Sequence, residues 1–226
     1  MSTVYDLLFA DQDLEEVLLG VELPEDSPLY AARARLWEGD VVGASHLGAG
    51  TQPPWSSFLE ILARQRQGKS AERTLRALAE DPANEARVRL WAWRALRQSG
   101  VQPDAFALSE LLGVVVEVPI GPGTDVLAVY CDGGQRYINH AGSLTARGGS
   151  PSSQEAQDLL TQAFPLLKLP TEERKREEVR PDRVRITALG ADGLHVVNAT
   201  PEELEEGGAY FDLLSAAVKV LQKLVP

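Results

Sequence analysis

The sequence predicts an α+β fold in two parts, and three observations carry that reading. Up to Leu112, apolar residues recur at helical spacing between capping and breaking residues. From Gly113 the period switches from 3.6 to 2, and two Asp-Gly segments between β-branched runs mark hairpins. The expected division is 1–112, an all-helical region of repeat-like helix pairs, then 113–226, a two-layer α/β sandwich. Its antiparallel sheet has the expected order β-β-β-α-β-β-α.

The helical elements follow in order. Ser27-Pro28 supplies a capping hydroxyl and a proline at the first helical position, and Leu29, Ala32, Leu36 and Trp37 continue the pattern to Gly39-Asp40. Val41 to Leu47 is a short second helix, stopped by the Gly48 to Pro54 breaker. Phe58, Leu59, Leu62 and Ala63 make the next stripe, ended by Gly68. Ser70 caps a helix through Ala71, Leu75 and Leu78, closed by Asp81-Pro82. Asn84 starts a longer helix with Val88, Trp91, Ala92, Ala95 and Leu96, ended by Gly100, and Asp104 caps a last one through Leu108, Leu111 and Leu112. With Gly68 in the mid-repeat turn, small and apolar residues at Ala71, Leu75 and Leu78, and Asp81-Pro82 then Asn84 at the boundary, Phe58 to Gly100 resembles the tetratricopeptide repeat. That resemblance covers about a fifth of the chain and implies stacked antiparallel helix pairs.

In the second half, Val114 to Val118 is a β-branched strand. Val126 to Cys131 and Gln135 to His140 flank Asp132-Gly133-Gly134, and Val184 to Leu189 and Leu194 to Val197 flank Gly190 to Gly193. Ser152 with Glu155 is a capping box for a helix carrying Leu159, Ala163 and Leu167, and Thr200 with Glu203 is another, opening a final helix through Phe211, Leu214 and Leu221. The charged run Thr171 to Arg180 is expected to be a solvated linker or a frayed helix. Profilin-like and roadblock-like modules use similar parts, which is an analogy of architecture only.

Composition narrows the function classes. The 226 residues are 44% hydrophobic and 24% charged, as in globular proteins. Thirty-three acidic against 22 basic residues give a net charge of -11, which argues against nucleic acid and anionic membranes as partners. No apolar run reaches a membrane span, and the acidic start lacks the positive charge of a secretory signal. The expected location is therefore the bacterial cytoplasm. One cysteine and three histidines predict no structural metal site, and no loop predicts a cofactor. Gly121-Pro122-Gly123-Thr124 resembles a phosphate loop in composition but leads into a strand, without the helix N-terminus that binds anions.

Four groups of residues remain as candidates. Cys131 would need a histidine base. A loop of Gly133-Gly134 or Asp132-Gly133 puts His140 opposite Leu127 or Asp125, roughly 13 to 20 Å away. Cys131 is therefore expected to pack as a small hydrophobe, and His195, on an apolar face, to be structural. Asp125, Arg136, Asn139 and His140 form an expected polar cluster at the sheet end. Arg66, Lys69, Arg73 and Arg76 are spaced for one basic stripe, interrupted by Gly68. Residues 60 to 100 hold nine basic and five acidic side chains, residues 1 to 40 two and ten, so the charges are segregated. An acidic, amphipathic segment over residues 1 to 20 can dock in a groove near Arg66 to Arg97 of the same chain or a second copy. Trp91 and Trp93 are two apart, so with Trp91 in the core Trp93 is the expected exposed contact.

The function expected from these residues is a non-catalytic protein-interaction protein, an adaptor or assembly factor. Trp93, Arg66, Arg73, Arg76 and Arg97 would be its contacts, its partner another protein, and self-association is allowed. The alternative is a small-ligand sensor or enzyme built on the sheet-end cluster.

Overall fold

The computed structural model describes residues 8–12, 14, 25–38, 40–48, 54–148, 152–174 and 177–225. Two units divide the chain, Met1–Val101 and Gln102–Pro226.

The first unit is helical. Helix α1 (Pro28–Trp37) starts where the Ser27 hydroxyl accepts from the Tyr30 amide at 3.1 Å. Helix α2 (Val41–Gly48) is opened by Asp40, whose carboxylate accepts from the Gly43 amide at 2.8 Å. Helix α3 (Trp55–Arg66) buries Phe58, Leu59, Ile61, Leu62 and Ala63, and stops at Gly68, which takes φ 65°. Helix α4 (Glu72–Glu80) buries Leu75, Leu78 and Ala79. Asn84 acts differently from expectation: its amide donates to the Leu78 carbonyl at 3.1 Å, closing α4 rather than opening the next helix.

Helix α5 (Ala86–Gln98) is buried on most of its circumference. It packs on α4, its Trp91 ring meets Phe58 of α3 edge-on at 5.0 Å, and the buried Arg89 donates to the Ala79 carbonyl at 3.0 Å. Neighbours on more than one side explain a correction. Trp91 and Trp93 do lie on different faces, yet both are buried, Trp93 at 1% exposure. Trp93 is core, not the exposed contact its spacing suggested.

The second unit begins earlier than the period change. Asp104 caps the single turn α6 (Ala105–Leu108), and strand β1 (Leu111–Ile120) already includes Leu111 and Leu112, where the apolar spacing predicts helix. The other strands are β2 (Gly123–Tyr130), β3 (Gln135–Ile138), β4 (Leu144–Arg147), β5 (Thr171–Glu172), β6 (Val184–Gly190) and β7 (Leu194–Ala199). They form one antiparallel sheet in the order β4-β3-β2-β1-β6-β7-β5. The two strands absent from the predicted order, β4 and β5, are its edges. Both are short, and neither has the β-branched run that identified the others. The charged stretch is thus pinned at its start by β5, and Val179 near its end is buried.

Helices α7 (Gln154–Ala163) and α9 (Phe211–Leu224), with the 3-10 turn Phe164–Lys168, share one core with a sheet face made of Val114, Val116, Leu127, Val129, Ile186 and Ala188. Ser153, not Ser152, caps α7. The Thr200 capping box is present but serves a separate turn, α8 (Pro201–Leu204), because Gly207 at φ 86° breaks the chain before α9. The opposite sheet face is buried too: Val115, Ala128, Ile138 and Leu189 are all at 0% exposure. A sandwich with one solvated face, the expectation for an antiparallel sheet, is therefore not what forms. The unbroken runs Val114–Val116 and Val126–Tyr130 are the sequence mark of strands buried on both sides.

Candidate functional site

The acidic N-terminal segment is described over residues 8–12 and at 14; the rest of the amphipathic stretch lies outside the described residues. Leu8, Phe9, Ala10 and Leu14 are buried. Asp11 pairs with Arg94 of α5 at 3.2 Å, and the Trp91 indole N–H donates to the Gln12 carbonyl at 3.2 Å. Beside these contacts lies a cleft of about 290 Å³. Leu62, Trp91, Ala95 and Leu14 give it apolar walls, and Gln12, Gln65, Arg94 and Gln98 a polar rim. An arginine flanked by amides can recognise a carboxylate or a peptide backbone, and the apolar walls can take side chains.

The arginine that receives the acidic segment is Arg94, which the sequence reading missed. Its signal was available: Arg94 follows Trp91 by three, so both side chains share one helix face. The residues of the expected basic stripe are divided between two helices and the turn that joins them. Arg66 ends α3, Lys69 lies beyond Gly68, and Arg73 and Arg76 stand on α4. Arg76 is paired with Glu72 at 3.0 Å and Glu80 at 3.3 Å, and these hydrogen bonds hold its guanidinium above its ordinary value. Arg97 is half-buried on α5.

At the sheet end, two of the four expected polar residues meet. His140 Nδ1 lies 3.0 Å from Asp125 Oδ1, and the His140 amide donates to the same oxygen at 2.7 Å. Tyr137, which the sequence reading did not include, donates its hydroxyl to Asp125 Oδ2 at 2.6 Å. Burial pushes the Asp125 carboxyl up, but the bonds from Tyr137 and His140 outweigh it and leave it below the usual value. Burial, with the bond to Asp125, pushes the Tyr137 phenol up to about 12. Asn139 is turned to its own loop, accepting from the Ala141 and Ser143 amides at 3.0 and 2.8 Å. Arg136 pairs with Ala128, one register position from the Leu127–Tyr137 pair and so on the opposite face, and donates to the Gln135 and Arg147 carbonyls. The four residues are not one cluster.

The hairpin register explains this. Tyr130 and Gly134 close the turn, leaving the three-residue loop Cys131-Asp132-Gly133 with Gly133 at φ 89°. Odd residues of β2 therefore pair with odd residues of β3, where a two-residue loop would have paired odd with even. The same loop exposes Cys131, so the expected packing role is corrected. His195 is structural as expected: it is 1% exposed, with Nδ1 2.7 Å from the Leu169 carbonyl and Nε2 3.0 Å from Asp192.

One further polar group went unforeseen. On the sheet face opposite the helices, Glu117, Arg185 and Asn198 stand side by side across β1, β6 and β7. Arg185 lies 3.7 Å from Glu117 and donates to the Glu177 carbonyl at 3.1 Å. Burial pushes the Glu117 carboxyl up, and the charges of Arg185 and Arg174 only partly offset it. Among the described residues no group of three or more His, Cys, Asp and Glu side chains converges to hold a metal ion, and no helix is long and apolar enough to cross a membrane. Compared with protein-family models, with curated proteins and with solved structures, the chain matches none of them.

Proposed function

We propose that this chain is a non-catalytic protein-interaction protein, an adaptor or assembly factor, with its contact surface on α5 at Trp91 and Arg94. The observation that carries the reading is the seating of residues 11 and 12 there, through one ion pair and one bond to a main-chain carbonyl. A carbonyl is common to every peptide, and a carboxylate to every acidic one, so this face has the chemistry to hold segments of other proteins. Incorporating a photo-crosslinking residue at the exposed rim position Gln98 in the native host tests this. The expected result is a covalent adduct with a partner protein that disappears when Arg94→Glu is added. An adduct unchanged by Arg94→Glu, or none, would remove the reading.

A second reading, a small-ligand sensor or enzyme at the sheet end, is favoured by one observation. Asp125 orients the His140 ring through Nδ1 and leaves Nε2 on a side chain that is 48% exposed, an arrangement suited to proton transfer. A small ligand that raises the melting temperature of the wild type but not of His140→Ala would move the assignment there.

A further inference from the structure

We propose that residues 8–12 and Leu14 act as a built-in competitor at the Trp91/Arg94 cleft, and that the partner segment is an acidic, leucine-rich peptide of the arm's own pattern. This rests on the interaction reading above and names its partner class. The pattern is Leu8-Phe9-Ala10-Asp11-Gln12-Asp13-Leu14: two apolar residues, a small one, an acid, an amide, an acid, an apolar one.

Three observations point to displacement rather than a permanent fit. Two of the contacts to α5 are generic, a carboxylate on Arg94 and a carbonyl on Trp91, and another acidic strand satisfies both. The arm does not fill its groove: Gln12 and Leu14 form a wall of the cleft of about 290 Å³, leaving room against Leu62 and Trp91. The arm is also strained. Ala10 takes φ 52°, the one positive value at a non-glycine residue among those described, in the left-handed region that an alanine Cβ resists. The tether offsets that strain by a high effective concentration. A partner segment with glycine at this place, or an extended backbone, binds without the strain.

The probe is a fluorescein-labelled synthetic peptide of residues 4–18, titrated into the full chain and followed by fluorescence anisotropy. Asp11→Ala in the protein loosens the arm and should strengthen peptide binding up to about fivefold, the upper range for a partly exposed ion pair. Ala10→Gly relieves the strain, tightens the arm, and should weaken peptide binding by about fivefold. It should also raise the melting temperature, so weaker binding there is not loss of fold. Arg94→Glu should abolish binding, and a peptide carrying Asp11→Arg should restore it. The proposal falls if the peptide binds all four chains alike, or fails to bind both Asp11→Ala and, with the charge-swapped peptide, Arg94→Glu. Concentration-dependent dimerisation of the wild type that Arg94→Glu abolishes would give the groove to a second copy and overturn the partner assignment. If the peptide fails while the Gln98 crosslink still depends on Arg94, this inference is lost and the interaction reading stands.

Discussion

The two units use their polar side chains differently. In the sheet unit the polar groups described above close turns or tie neighbouring elements of the same sheet and core: Asp125 holds the turn at His140, Asp192 and the Leu169 carbonyl hold His195, and Glu117 and Arg185 sit on adjacent strands. In the helical unit the i,i+4 pairs are equally local, Arg64 with Glu60 and Arg76 with Glu72 and Glu80. Arg94 is different, because it holds the N-terminal segment, at Asp11, rather than a residue of its own helix pair. A polar group whose bonds complete a turn has little capacity left for a ligand. One that holds a separate segment has already shown the geometry of recognition. That contrast, rather than residue type, ranks the α5 face above the sheet end.

The largest effect that can break this comparison is at Trp93. As core, Trp93→Ala should destabilise the helical unit by about 3–5 kcal/mol. Urea unfolding followed by far-ultraviolet circular dichroism would show it. A variant of unchanged stability that lost its partner would return Trp93 to the surface.

Next comes the buried pair of the sheet unit. Arg185→Met removes the charge that offsets Glu117's burial and should cost about 3 kcal/mol at neutral pH. The sign of the pH dependence follows from Glu117. Its carboxyl is raised above the ordinary 4.5 by burial, so its contribution is present below 4.5 and is lost as pH rises through the folded value. Without Arg185 that value rises further, so the variant should lose more stability than wild type between pH 4.5 and neutrality. Equal pH profiles would mean that Glu117 is effectively solvated and the sheet face more open than its burial indicates.

These residues also show what was legible in the sequence. Mixed α+β class, the caps at Ser27, Asp104 and Thr200, and the strands Val114–Val118, Val126–Cys131 (which ends at Tyr130) and Val184–Leu189 could be read because each rests on local chemistry: a hydroxyl or carboxylate at a helix start, a β-branched run between turns. Edge strands β4 and β5 could not, since two to four residues carry no period. The Asp125–His140 contact was anticipated, but the register was shifted: a glycine in αL serves both two- and three-residue hairpin loops, and the sequence does not say which. Arg94 and Asp11 are 83 positions apart, and no spacing rule pairs residues at that distance. Trp93's burial depended on how many neighbours α5 would have, which is a tertiary property.

A smaller effect is expected at Asp125. Asp125→Asn keeps the shape but weakens the bonds from Tyr137 and His140, and the site is partly exposed, so solvent screening holds the loss to about 1 kcal/mol. Because the carboxyl lies below its ordinary 3.8, its contribution is present above 3.8 and disappears as pH falls through the lower folded value. Wild type and variant should thus converge in stability in that acidic window. The Tyr137 phenol, about 12 in the wild type, should titrate nearer its ordinary 10 in the variant, visible by ultraviolet absorbance. An unchanged Tyr137 titration would show that the hydrogen bond is not formed in solution.

The smallest effect is at Cys131, where the two units' logic meets its limit. Its side chain is exposed in the Cys131-Asp132-Gly133 loop, and its backbone amide donates to the Leu112 carbonyl at 3.1 Å. Any residue but proline keeps that amide, so the structural role of the position belongs to the backbone. Cys131→Ser should therefore change stability by less than about 0.5 kcal/mol, as for other surface substitutions. A core thiol would resist labelling, whereas this one should react with a thiol reagent in the folded protein at the rate of an accessible cysteine. Slow labelling together with a loss above 1 kcal/mol in Cys131→Ser would mean that the hairpin closes on a two-residue loop after all. The thiol would then turn inward and the Asp125–His140 register would shift with it.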